Sequence, residues 1–289
     1  MSRRVIFTAD DFGLNESIND AIRQAHLHGV LTSASLMVNG DAVGGAVTMA
    51  KALPDFSVGL HLVLTSGKTS LSQNEIPHLT NRVGKFHNDA VNAGLHFFFD
   101  PRARRELRLE MRAQFEAYAR TGLPLSHIDG HQHMHMHPAV FPILVELMNE
   151  FGVHGIRIPR DDLKLALAYD PGSAPMKVLT NTIFRGLAAG QRRRLASENF
   201  LVAERTYGLL QSGHMNAEYL LLVLGRSTCR TMEIYTHPKT GSRMHELGPN
   251  PGDLKALLDP RVRRALAEYG FERVTYPDLN EDISWSLRG

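Results

Sequence analysis

Five of the chain's 15 histidines stand between His127 and His137, in the run Ser126-His127-Ile128-Asp129-Gly130-His131-Gln132-His133-Met134-His135-Met136-His137. Such a cluster has no rationale in core packing. Neutral imidazole is the usual nitrogen ligand of divalent transition metals, so the run points to a metal site. Two adjacent carboxylates, Asp10 and Asp11, repel each other unless a cation or a shared proton offsets the repulsion. Neighbouring side chains on a strand point to different sides, so one of the pair can bind a metal while the other handles a proton. His61 lies among apolar neighbours in Val58-Gly59-Leu60-His61-Leu62-Val63. A histidine in that setting is commonly a hydrogen-bonded core residue, and its weight here comes from the other clusters. Arg157, in Ile156-Arg157-Ile158, reads as a strand residue whose burial would demand a carboxylate partner, with Asp10 the expected one. His237, just before Pro238, ends a strand and can serve as a general acid if no metal needs it. Asp and His ligands with an open coordination position describe a hydrolytic centre, in which the ion lowers the pKa of water towards ~7 and polarises a carbonyl or phosphoryl oxygen.

Strand-like and helix-like segments alternate from the start, the signature of βαβ units and a parallel sheet. Val5 to Ala9 is an apolar run stopped by Asp-Asp-Phe-Gly, and Asn15 caps a helix to about His28. Thr32 to Val38 and Val58 to Leu64 read as strands around a small-residue helix, Ala42 to Leu53. Residues 65–100 lose periodicity and read as an inserted loop, followed by a charged helix from Pro101 to about Arg120. The strand Leu125 to Asp129 ends near Gly130, so only some of the clustered histidines point into a site. A helix at Pro138 to Phe151 and a strand at His154 to Ile158 follow. Residues 160–224 read as a mostly helical insertion, then come a strand at Thr231 to Thr236, a helix at Asp253 to Tyr269 and a strand at Phe271 to Tyr276. Asp10-Asp11, His61, Asp129-Gly130-His131 and His237 all stand where strands give way to loops, and the carboxyl ends of strands are where active sites assemble in such folds. The expected architecture is α/β, one domain over residues 1–289.

With 43% apolar, 21% charged and 7% aromatic residues, the 289-residue chain has the make-up of a globular protein. A formal charge of +2 is too weak a balance to argue for a nucleic-acid groove or an anionic membrane surface. The lone Cys229 makes no internal disulfide, which suits a reducing compartment. The Met-Ser-Arg-Arg start reaches Asp10 too early for a signal peptide, and the longest purely apolar stretch, Leu220 to Leu224, is far short of a membrane span. A soluble cytoplasmic protein without a transmembrane segment is expected.

At these residues the sequence resembles the YdjC/ChbG carbohydrate deacetylases. The matching pieces are Thr8-Ala9-Asp10-Asp11-Phe12-Gly13-Leu14, Leu31 to Gly40, Val58 to Leu64, His127 to His133 and Tyr235-Thr236-His237-Pro238, in the family's order across nearly the whole chain. Within the family it looks most like the hopanoid-biosynthesis branch, HpnK. The resemblance implies an irregular, TIM-barrel-like (β/α) barrel and hydrolysis of the acetamido group of an N-acetylated amino sugar. It makes Asp11, His61 and His131 the ligands of one divalent metal ion, with zinc first and magnesium, manganese, cobalt or nickel as alternatives. It casts Asp10 as the base that takes a proton from the attacking water, and Arg157 and His237 as the groups that orient the base and protonate the leaving amine. Asn39, Asp129 and His133 are implied on the substrate side. The hopanoid branch implies an N-acetylglucosaminyl hopanoid as substrate and contact with the inner membrane surface. The apolar wall such a lipid needs is sought in Leu165, Leu167, Met176, Val178, Leu179, Ile183, Phe184 and Leu187. A chitooligosaccharide substrate, a metal-dependent phosphoesterase and a non-catalytic sugar-binding module are the competing readings, and a homodimer stays open.

Overall fold

The computed structural model describes residues 3–241 and 248–280. The chain runs β1 (Arg3–Phe12), α1 (Glu16–His28), β2 (Ser33–Leu36), α2 (Val43–Lys51), β3 (Ser57–Leu62), α3 (Ala90–Phe99), α4 (Pro101–Thr121), β4 (His127–Gly130), α5 (Phe141–Phe151), β5 (Gly155–Ile156), α6 (Leu163–Tyr169), α7 (Ala174–Ser197), β6 (Arg205–Tyr207), α8 (Ala217–Arg226), β7 (Thr231–Thr236), α9 (Pro251–Leu258), α10 (Pro260–Glu268) and β8 (Phe271–Arg273). Capping fixes several of these boundaries. The Asn15 side chain accepts the Ile18 amide at the start of α1, and Asp100 accepts the Arg102 amide ahead of Pro101 at the start of α4.

The strands form one parallel sheet in the order β5-β4-β3-β2-β1-β7-β6, with β8 paired to the first residues of β1. The sheet is TIM-barrel-like but open. No ladder joins β5 to β6 among the described residues, and only the single bridges Gly155–Leu201 and Arg160–Thr206 lie at that seam. The irregular (β/α) barrel implied by the family resemblance is thus present as an open, half-barrel sheet.

Three segments differ from the sequence expectation. The loop expected over residues 65–100 ends in a helix, α3, capped by Asp89. Its run Leu95-His96-Phe97-Phe98-Phe99 is nearly all apolar and shows no helical period to read. The helical insertion over 160–224 contains β6, three residues long and too short to reveal an alternation. The expected helix from Asp253 to Tyr269 is two helices, because Asp259 caps a new start at Pro260, where a proline cannot continue the old one.

Alternation along the strands sorts the residues into two sets. Val5, Phe7 and Ala9 of β1, Ala34 and Leu36 of β2, Leu60 of β3, Ile128 of β4 and Met232 and Ile234 of β7 belong to the apolar core beneath the helices. The residues between them, Thr8, Asp10, Ser35, His61, His127, Asp129, Glu233 and Tyr235, are also buried but polar, and they fill the concave side of the sheet. Ile6, Leu201, Val274, Tyr276 and Leu279 form a small apolar cluster of their own. Gly59 is required where β3 passes His127, since a Cβ there would sit 2.5 Å from the imidazole Cε1. Among the described residues no helix is long and apolar enough to cross a membrane.

Candidate active site

The fully buried guanidinium of Arg157 organises the concave side. Its two terminal nitrogens donate to both oxygens of Asp10 at 2.7 and 2.8 Å, its Nε donates to Glu233 Oε1 at 3.0 Å, and Asp129 Oδ2 lies 2.8 Å away. The Tyr235 ring closes one face, 4.4 Å from the guanidinium carbon. Burial works against this charge, but Asp10, Asp129 and Glu233 outweigh it and hold the arginine well above its ordinary pKa. Glu233 accepts further hydrogen bonds from Thr8 Oγ1 and from Tyr276 OH, each at 2.8 Å. Burial pushes its carboxyl up, against the pull of Arg157.

Asp129 connects this ionic core to His61. Register pairs the two residues across β3 and β4, and His61 Nδ1 lies 2.7 Å from Asp129 Oδ1. Ser35 Oγ donates to the other carboxylate oxygen at 2.6 Å. Burial works against a charged His61, yet Asp129 raises its pKa to about 9. With Nδ1 engaged, Nε2 faces Asp11 Oδ1 at 3.5 Å, and His131 Nδ1 stands 3.2 Å from the same oxygen.

Asp11 reaches this position through an irregularity in β1. The register against β2 shifts between Ala9 and Phe12, and Asp11 adopts φ = 63°, a left-handed value uncommon outside glycine. Adjacent side chains on a regular strand would point apart, as the sequence suggests. Here the bulge re-aims Asp11, so that Asp10 and Asp11 line the same cleft. Burial acts to raise the Asp11 carboxyl, but His131 and His61 outweigh it and hold the group far below the usual carboxylate range.

Asp11, His61 and His131 each bring one ligand atom to a cluster with all separations within 4.8 Å. Asp11 Oδ1 is buried and has no hydrogen-bond partner, a cost that a cation at this point would remove. One carboxylate oxygen with two imidazole nitrogens is a fitting donor set for zinc or a neighbouring divalent ion. Asp10, His61 and Asp129 also converge, but their carboxylates already hold the Arg157 cation, which makes them the poorer cage.

His237 stands at the end of β7, Nε2 3.7 Å from Asp10 Oδ2. Its backbone N–H donates to the buried Asp253 carboxylate at 2.9 Å. His133 Nε2 pairs with Tyr235 OH at 2.8 Å, and burial keeps this imidazole well below its ordinary pKa. Asp10, Asp11, His61, His131, His133 and His237 thus all face one cleft of about 1000 Å³. Two expected substrate-side residues do not. Asn39 is bound to the loop after β3, donating to Lys68 O and accepting from Ser70 Oγ, outside the cleft wall. Asp129 is buried beneath the site, where Arg157, Ser35 and His61 occupy both its oxygens. Of the eight apolar residues sought as a lipid wall, Met176 lines the cleft; Leu165, Phe184 and Leu187 pack on the core. Leu209 and Leu210 complete that wall unforeseen, in a turn whose Gly208 and Leu210 amides donate to buried Asp161. No role was expected for Ser35, Glu233 or Tyr235, although Ser35 and Tyr235 stand in the segments that carry the family resemblance. The signal for Glu233 and Tyr235 is the spacing Glu233, Tyr235, His237, alternating with apolar Met232 and Ile234, which places all three on one side.

A family model described as YdjC-like protein matches residues 4–268. The chain belongs to the YdjC-like family. It is 37% identical over 286 residues to a carbohydrate deacetylase of Geobacillus stearothermophilus, covering 96% of this chain and 99% of that one. A carbohydrate deacetylase of Brevibacillus brevis is 41% identical over 152 residues, a match spanning 52% of this chain and 57% of the relative's length. A chitooligosaccharide deacetylase of Escherichia fergusonii is 28% identical over 286 residues, covering 96% of this chain and all of the relative. The crystal structure of an Enterococcus faecalis V583 protein shares the fold described above, with a TM-score of 0.76 at 19% identity over 96% of this chain and 99% of that one.

Proposed function

We propose that this YdjC-like chain is a metal-dependent N-deacetylase that hydrolyses the acetamido group of an N-acetylated amino sugar to acetate and a free amine. The observation that carries the reading is the unpartnered Asp11 oxygen facing His61 and His131 beside a second carboxylate, Asp10, in an open cleft. The names of the carbohydrate deacetylases it resembles support the same class. When bound, a divalent ion, with zinc the first candidate, supplies Lewis acidity that activates water and polarises the amide carbonyl.

The chain's own residues account for the proton movements. Asp10 takes a proton from the attacking water, with Arg157 fixing both of its oxygens. His237, its Nε2 3.7 Å from Asp10 Oδ2, delivers a proton to the departing nitrogen, and the Asp253 carboxylate anchors its backbone N–H. His61 is kept in register by Asp129, and His133 with Tyr235 shapes the cleft wall.

The finer substrate we propose is an N-acetylglucosaminyl glycolipid of the hopanoid type. Its support is the wall formed by Met176, Leu209 and Leu210, continued on α7 by the exposed Leu179 and Ile183. The one-cysteine composition suits the cytoplasm. Acetate release should be compared on a sugar-bearing hopanoid and a chitobiose-type sugar. Faster turnover of the lipid supports the finer reading, preference for the soluble sugar points to a chitooligosaccharide deacetylase, and no acetate from either rejects the deacetylase.

A further inference from the structure

Helix α3 presents an apolar stripe to solvent. Ala93, Gly94 and Phe97 are its buried residues, whereas Val91, Leu95, Phe98 and Phe99 are 73, 52, 51 and 73% exposed. Their spacing of four, three and one residues gathers them on a single side of a helix. Scattered apolar residues on a surface need no explanation, but a contiguous stripe marks a contact surface. The stripe runs into a second feature through His137, whose ring meets Phe98 at 6.5 Å and Phe97 at 6.1 Å between centroids. Pro138 and Ala139, which follow it, help floor a shallow apolar groove of about 640 Å³ rimmed by Arg104, Arg105 and Arg108 of α4. Arg108 pairs with Glu146, while Arg104 and Arg105 are exposed with no acidic partner among the described residues.

We propose that this α3–α4 corner docks the protein on an anionic lipid bilayer, with Phe98 and Phe99 entering the acyl boundary and Arg104 and Arg105 meeting lipid phosphates. Aromatic and aliphatic side chains edged by unpaired arginines are the composition of an interfacial anchor. The same charges disfavour a second copy as occupant, because a two-fold contact through the stripe would bring two like arginine clusters together. The corner also lies at the cleft end of the sheet. The His131–Met136 turn that carries a candidate ligand is flanked by α3 through His137, and by α7 through the His133–Phe184 ring contact at 5.5 Å and the Gln191 Nε2 bond to Met136 O at 2.7 Å. Docking there holds the cleft near the bilayer and rests on α3 and α4, independently of the reaction proposed above.

Co-sedimentation of the full chain with phosphatidylcholine vesicles, with and without phosphatidylglycerol, tests this. Binding is expected to the anionic vesicles only, and to weaken as salt is raised. Neutralising Arg104 or Arg105 with Gln should weaken it about five-fold each, and the double change Phe98→Ser/Phe99→Ser should weaken it at least about ten-fold. Acetate release from a soluble acetamido sugar should be unchanged in all these variants. No binding to anionic vesicles, equal binding to neutral ones, or binding unaltered in the variants overturns the proposal. So does a dimer, seen by sedimentation equilibrium and lost in Phe98→Ser/Phe99→Ser, without vesicle binding. Vesicle binding by a protein inactive on every acetamido sugar leaves the docking intact and rejects only the reaction.

Discussion

His61 Nδ1 lies 2.7 Å from Asp129 Oδ1, and that contact turns the other ring nitrogen toward Asp11. A carboxylate behind a ligand histidine fixes its ring and raises its basicity, so in the proposed site Asp129 would act on a metal it does not touch. Asp129→Asn should weaken metal affinity about 10–100-fold, measured by competition with a chromophoric chelator. Unchanged affinity would remove Asp129 from that role.

The two adjacent aspartates should separate cleanly in their effects. Asp11→Asn exchanges the anionic donor of the cluster for a neutral amide oxygen, His61→Ala and His131→Ala each remove a donor, and all three should leave purified protein with little bound metal. Asp10→Asn should keep its metal and lose turnover by about 10²–10⁴-fold, the range for a lost acid or base. Metal analysis beside acetate release distinguishes the cases, and full metal content in all three donor variants would reject the assignment.

Much of this arrangement could be read from residue order. Asp10, Asp11, Asp129, His131 and His237 are marked by a polar type where an apolar segment ends, His61 and Arg157 by a polar type among apolar neighbours, and the Arg157–Asp10 pair follows from the cost of burying an arginine alone. What escaped reading depends on backbone detail or on contacts between distant strands. A one-residue bulge swings Asp11 to the side of Asp10, which no pattern of types predicts. The resemblance implies Asp129 on the substrate side, yet pairing β4 between β3 and β5 buries it under the site. The half-formed closure between β5 and β6 depends on strands two and three residues long, below the length at which alternation carries information.

Removing the arginine at the centre should cost the fold as well as the reaction. Arg157→Met leaves Asp10, Asp129 and Glu233 buried without their shared cation. Breaking a buried pair by deleting one partner typically destabilises by about 3–5 kcal/mol, so the urea midpoint at neutral pH should fall sharply. Met fills a similar volume, so a cavity is not the main effect. A midpoint equal to wild type would mean that the three carboxyls take up protons at little cost, and that Arg157 contributes only to positioning Asp10.

His135 gives the fold an acid-sensitive group away from the proton transfers. Its Nε2 donates to the Arg157 carbonyl at 2.9 Å, and its Nδ1 is buried without a partner. Burial lowers its pKa to about 4 from the ordinary 6.5. Between those values the unfolded chain binds a proton that the folded one refuses, so stability falls as pH drops from about 6.5 to about 4 and is fully present above that window. A depression of this size corresponds to roughly 3 kcal/mol. His135→Gln keeps a donor for the Arg157 carbonyl but does not titrate. Its unfolding free energy, measured by urea at pH 7 and again near pH 4.5, should therefore fall less on acidification than that of the wild type. His127, lowered to about 4 by burial as well, titrates in both proteins and cancels from the comparison, as does Glu233. Equal acid slopes in the two proteins would show that His135 accepts its proton in the folded state, through a rearrangement that opens its unpaired nitrogen to water.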